Sequence, residues 1–276
     1  MMRSLWTAAS GMRAQQVNVD TIANNVANIN TIGYKTQQAS FKSLLYQNLQ
    51  STSTNNAGEN KPVAAEVGLG SRVAAITSTF TNGNLNHVEN PFSVALEGDG
   101  FFQIRTESGE LQYTRDGAFE ISPVANGNML CTSDGNPVLD AYGNAIVLPA
   151  DRVATDLVVN RDGTLAFPDG TGNPAVLTDA SGRPIKFGIY QFNNPAGLSK
   201  EGSNNYSQTV ASGAAVAENG NATLKQTQTH QYYTEASNVD VANEMVNLIV
   251  AQRAYEMNSK AIQASDEMMQ QANNLR

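Results

Sequence analysis

The sequence predicts an α+β fold, with N- and C-terminal helices pairing as a coiled coil and a central all-β, barrel- or sandwich-like domain between them. Three observations predict it. Near the N-terminus, apolar or small residues recur at alternating spacings of three and four. They are Leu5, Ala8, Met12, Gln15, Val19, Ile22, Val26 and Ile29, with Gln15 the one polar member. Toward the C-terminus, Val241, Leu248, Tyr255, Ile262 and Met269 recur every seven residues, and Ala254, Ala261, Met268 and Leu275 form an adjacent stripe. A sustained period of 3.5 rather than 3.6 asks for a supercoiled partner helix. Between these ends, short apolar runs alternate with Asn-Gly and Asp-Gly dipeptides, whose residues accept the positive φ of hairpin turns.

The first element is the helix carrying the N-terminal stripe. Its flanks hold amides (Gln15, Gln16, Asn18, Asn24, Asn25, Asn28) rather than the charges of a solvent-washed coiled coil. Amides donate and accept at once, which suits contact with protein on several sides. An ordinary amphipathic helix packed on its own domain satisfies the same spacing. Gly33 is the expected helix stop, since glycine tolerates the left-handed conformation of a C-terminal cap. Residues 36–49 hold Phe41, Leu44, Leu45 and Leu49 and read as extended or loosely helical. Residues 50–60, rich in Ser, Thr, Asn and Gly, form a linker or insertion, and residues 63–80 regain β-type composition.

The β region follows. Its turn dipeptides begin at Asn82, Asp99, Asp116, Asn126, Asp134, Asp162 and Asp169. Candidate strands span 92–96, 101–105, 111–115, 118–121, 129–132, 145–148, 157–159, 164–167 and 186–191. Residues 195–217 are loop-like, and Ser237, Asn238 and Asp240 offer capping oxygens before the last helix. The expected organisation is an N-terminal helix over 1–36, a connector over 37–80, the β domain over 81–229 and a C-terminal helix over 230–276.

Composition narrows the function. At 276 residues the chain makes one large or two modest domains. A net charge of -8 without a Lys/Arg cluster argues against nucleic acid. A single cysteine, Cys131, excludes an intramolecular disulfide framework and multi-cysteine metal sites. His87 and His230 lie far apart in sequence, and nothing places Asp116 beside Asp134 as a carboxylate pair. Gly98-Asp99-Gly100 lacks the helix that a phosphate loop requires. No catalytic constellation emerges, and no enzyme activity, cofactor, metal or small-molecule substrate is expected. Polar residues interrupt the N-terminal stretch, so a Sec signal peptide is not expected, nor does any run of ~20 apolar residues suit a membrane span.

Longer motifs carry a resemblance. Arg3-Ser4-Leu5-Trp6, Ala9-Ser10-Gly11-Met12, Ala14-Gln15-Gln16 and residues 23–35 resemble the N-terminal signature of bacterial flagellar rod and hook proteins. The likeness continues at Gly98-Asp99-Gly100-Phe101-Phe102 and at residues 113–119, and resumes at residues 235–240 and 252–256. Arg3–Trp6 and residues 44–47 look most like the distal rod branch. The segment 46–62 sits where that branch carries an insertion that hooks lack, although it is richer in Ser, Thr and Asn than the branch pattern.

The resemblance implies a torque-transmitting helical tube of identical subunits that also serves as an export channel. Its implied partners are other rod and hook subunits, the surrounding rings and the flagellar type III apparatus that exports the chain unfolded to the basal body. Phe41 with Leu45 is similar to the element read at the export gate, and two apolar residues on one short helix face account for it equally. Asn24, Asn25 and Asn28 are expected in contacts between subunits, alongside the two stripes. A proximal rod or hook protein is the alternative within the family, and a secreted β-rich adhesin the alternative outside it.

Overall fold

The structure, a computed structural model, describes residues 2–50, 65–125, 127–168, 174–179, 182–221 and 223–274. Most of the segment 46–62, the turn residues Asn126, Asp169 and Gly170, and Leu275 of the C-terminal stripe lie outside the described residues. Helices α1 (Met2–Ala27) and α2 (Val241–Asn274) stand at the two ends, with a β-rich region between them. Among the described residues no sheet closes into a barrel. The chain forms two compact units. One comprises α1, Gln37–Ser78 and the chain from Asp240 onward; the other comprises Asn28–Thr36 and Thr79–Val239.

In the helical unit, α2 runs for 34 residues without a glycine or proline. Its start is set by Asp240, whose Oδ1 accepts the backbone N–H groups of Ala242 (2.9 Å) and Asn243 (3.3 Å), as an N-cap should. Helix α1 stops at Ala27 rather than at Gly33. The side chain of Asn28 accepts from Thr31 Oγ1 at 3.1 Å, and Asn25 clasps the backbone of Gln37 through both amide atoms (2.8 and 2.9 Å). Such local side-chain bonding competes with helix continuation. Asn28 and Ile29 therefore fall beyond the helix. The strand Gln37–Ser43 pairs antiparallel with Ser71–Ser78, and Tyr46–Gln50 with Ala65–Gly68.

The β unit is built on a six-stranded antiparallel sheet. Its order is Ser199–Gly202, Asn205–Ser207, Leu111–Thr114, Phe101–Arg105, Ile189–Gln191 and Val216–Ala217. Successive side chains on a strand point to opposite faces, so Phe101 and Phe102 enter different cores. Phe102 joins the larger one with Ile104, Phe119, Leu165 and Phe187, while Phe101 meets Tyr113, Phe192 and Tyr206.

In two of the Asp-Gly pairs, Asp134-Gly135 and Asp162-Gly163, the glycine alone takes positive φ, 83° and 81°. Its N–H closes the turn on Thr132 or Asn160, so the glycine ends the turn rather than sharing its centre, yet both pairs do make hairpin turns. Asn82-Gly83 and Asp116-Gly117 do not. Here glycine is required by crowding, because a Cβ would run into the Ala236 carbonyl at Gly83 and the Val94 carbonyl at Gly117.

Candidate assembly surfaces

Helices α1 and α2 lie side by side and antiparallel: Ser4 Oγ meets Ser265 Oγ at 3.4 Å, and Gly11 faces the Asn258 amide. Apart from Ser259, the least exposed positions on α2 are Glu244, Leu248, Ala251, Ala254, Asn258, Ile262, Ser265 and Met269. Spaced by three and four, they form one continuous stripe. Three of the five members of the expected seven-residue series lie on it, Leu248, Ile262 and Met269, whereas Val241 and Tyr255 are exposed. Ala254 comes from the adjacent stripe, and Glu244, Ala251, Asn258 and Ser265 are small or polar residues that apolar periodicity could not mark. On α1 no member of the expected stripe is exposed, but only Ala8 and Ile22 are buried. Leu5, Met12, Val19, Val26 and Ile29 stay half-buried.

The opposite face of α2 carries Met245, Val246, Ile249, Val250 and Met257, each more than half exposed. From residue 241 to residue 252 the only charged side chain is Glu244, which is buried. A helix that is apolar on two faces satisfies only one of them against a single neighbour. Trp6 (74% exposed) rims a groove of about 380 Å³ lined by Ala14, Val17, Leu44, Leu69 and Val73. A second groove, near 280 Å³, lies among Thr21, Ile22, Gln38, Phe41 and Asn247. Phe41 sits in an extended strand, and Leu45, just after it, is 82% exposed. Among the assembly amides, Asn25 is buried on Gln37, Asn24 is exposed, and Asn28 accepts from Thr31.

Within the β unit, three charged side chains converge away from solvent. Lys35 Nζ donates to Glu235 Oε1 at 2.6 Å and to the Thr81 carbonyl at 2.9 Å. The Arg115 guanidinium lies 3.7 Å from Glu235 Oε2 and 4.8 Å above the Phe101 ring. Glu235 Oε1 also accepts the Gly83 N–H, at 2.9 Å. Burial pulls Lys35 and Arg115 below their ordinary pKa ranges, and the Glu235 carboxylate opposes that in both. Gly33, at φ 70°, presses on the Arg115–Asp116 backbone where a Cβ would not fit, and its N–H donates to the Glu235 carbonyl at 2.8 Å. The family motifs contain all three charges, yet their 200-residue separation leaves no periodic signal of the contact.

Three family models match the chain: flagella basal body rod protein over residues 5–35, the flagellar hook protein FlgE/F/G D1 domain over 95–167, and flagellar basal body rod FlgEFG protein C-terminal over 230–275. Each contributes one member of the buried charge cluster. The flagellar basal-body rod protein FlgG of Borreliella burgdorferi is 43% identical, over 100% of this chain and 99% of its own. The chain belongs to the flagellar basal-body rod protein family.

Two further FlgG proteins extend that likeness. Agrobacterium fabrum FlgG is 41% identical over 97% of both chains, and Bacillus subtilis FlgG 35% over 100% of both. This rod-family chain is therefore most like FlgG, a structural protein of the basal body in a family not known for enzymatic activity. Cys131 lies buried at the end of the strand Gly127–Cys131, where burial raises its thiol pKa.

Proposed function

We propose that this rod-family protein is a distal rod subunit, polymerising head to tail into a rigid helical tube that transmits torque and encloses an export channel. The observation that carries the reading is the second apolar face of α2, Met245–Val246–Ile249–Val250–Met257, left over after α2 has packed on α1. A repeated, non-closing contact through such a face builds a filament. In this reading α1 and α2 tighten into a coiled coil along Leu5, Met12, Val19, Ile22 and Val26 on one helix and Leu248, Ile262 and Met269 on the other. Val241, Tyr255, Asn24, Asn28 and Ile29 meet neighbouring copies, and the clasp between Asn25 and Gln37 sets how the chain leaves α1.

Rod and hook subunits are the neighbours along the axis, and the chain reaches the basal body unfolded through the type III apparatus, with Phe41 and Leu45 read at its gate. Only one large apolar side chain of the helical unit, Ile22, is fully buried among the described residues, which supports helices that consolidate on assembly.

The test is the double substitution Met245→Asp, Ile249→Asp, expressed in a strain lacking the native gene. Both side chains are exposed, so the fold should survive. Electron microscopy should reveal export without rods and cells that do not swim. Normal rods in that variant would overturn the assignment of this face.

A further inference from the structure

Residues 227–238 thread through the β unit, and among the described residues their hydrogen-bond partners, apart from Glu218 and the adjoining Val239, lie at residue 161 or earlier. Thr227 Oγ1 accepts from Gly100 N at 3.0 Å, and the carboxylate of Glu218 holds Thr227 from the other side. The strand Gln228–Gln231 pairs with Val94–Glu97, and Tyr233–Glu235 with Leu85–His87. Between the two strands Tyr232 takes φ 64°, a conformation that a tyrosine keeps only where neighbours impose it. Gln231 uses both ends of its amide: its Oε1 accepts Val159 N–H at 2.9 Å, and its Nε2 donates to the carbonyls of Pro91 and Leu157 at 2.8 and 2.7 Å. Glu235 supplies the carboxylate for Lys35 and Arg115, and Asn238 bridges Thr36 to Thr79 and Thr81.

We propose that this strap, residues 227–238, is the keystone of the β unit: the unit commits to its native fold only when the strap is in place. Without it, Leu85–His87 and Val94–Glu97 lose the only partner strands they have among the described residues. Two buried cations also lose their carboxylate, and buried charge without a counter-ion is strongly disfavoured. The first 226 residues therefore lack the means to close their own fold. For a chain that must stay unfolded until it has crossed an export channel, the arrangement postpones folding until the strap emerges. That use rests on the proposed function, whereas the folding property rests on the β unit alone.

Native-state hydrogen exchange of the full-length, unassembled protein tests the keystone, because it compares the strap with the core inside one molecule. Opening of a keystone is global opening. The amides of Thr229, Tyr232 and Ala236 should then be protected within about tenfold of those in the strand Phe101–Arg105. A strap that exchanges faster than the core by more than that margin opens locally, and the proposal falls. Glu235→Gln supplies the second reading. An equal loss of protection in strap and core supports the keystone, and a loss confined to the strap overturns it. If that variant does not fold, the comparison in the native protein decides alone. Neither measurement involves assembly, so failure of the rod reading would leave them unchanged.

Discussion

At the residue scale, the charge cluster of the β unit makes the sharpest predictions. Replacing one partner of a buried ion pair leaves the others uncompensated, at a cost of about 3–5 kcal/mol. Glu235→Gln should therefore melt the β unit far below the native protein, whereas neutralising all three charges with Lys35→Met, Arg115→Met and Glu235→Leu should recover much of the loss. A single variant as stable as the native protein in a denaturant titration would contradict this account. Tyr206, near Arg115 and Glu235, offers a pH test. Burial pushes its phenol up from 10.0 to about 12. The folded pKa lies above the unfolded one, so the contribution is complete below pH 10 and is lost as the pH rises through 12. That amounts to ~3 kcal/mol at most. Tyr206→Phe should move the alkaline unfolding midpoint upward, and an unchanged midpoint would mean that other groups drive it. Asp116 is likewise raised, burial outweighing the hydrogen bond from Ala118 N–H. Protonation thus favours the fold, and this contribution is lost as the pH rises through the folded pKa. Asp116→Asn should stabilise the β unit at neutral pH, and the gain should vanish in acid; a gain that persists in acid would have another origin.

At the scale of the elements, the cap of α2 is the simplest test. Asp240→Ala removes the acceptor for two N–H groups and should cost about 1 kcal/mol, read as lost helicity by circular dichroism. The elements also mark what a sequence can and cannot disclose. The two helices were legible because each carries a seven-residue rhythm, and the strand Phe101–Arg105 because its apolar run is bounded by turn residues. The end of α1 was not, since the clasp between Asn25 and Gln37 depends on where the chain returns. Half of the α2 seam was hidden as well: Ala251, Asn258 and Ser265 pack by being small or polar, and no hydrophobic period registers them. The strands Gln228–Gln231 and Tyr233–Glu235 escaped for another reason. Their residues (Gln, Thr, His, Gln, then Tyr, Thr, Glu) lack an apolar alternation, and long-range pairing creates the strands. Of the charge cluster, the motifs disclosed the members and only the fold disclosed their meeting.

At the scale of the molecule, the two units differ in what stabilises them. The β unit buries a cluster from Val94 to Ile189 that includes Phe102, Phe119, Phe167 and Phe187, and closes it with the strap that ends at Asn238. The helical unit buries Ala8, Ala14, Ile22 and Ala251 among its described apolar residues, and leaves a full face of α2 in solvent. Burying a large apolar side chain contributes about 1.5–3 kcal/mol, so a single such residue does little against the entropy of ordering two long helices. The unassembled chain should accordingly be attacked first along α1 and α2. Limited proteolysis followed by mass measurement should leave a fragment whose C-terminal edge lies close to Val239, because cleavage before the strap would open the β unit. An edge near residue 226 would mean that the strap is dispensable. Retention of α2 through Met269 would mean that the helices are stable in isolation, and assembly would then have to join units already folded rather than complete them.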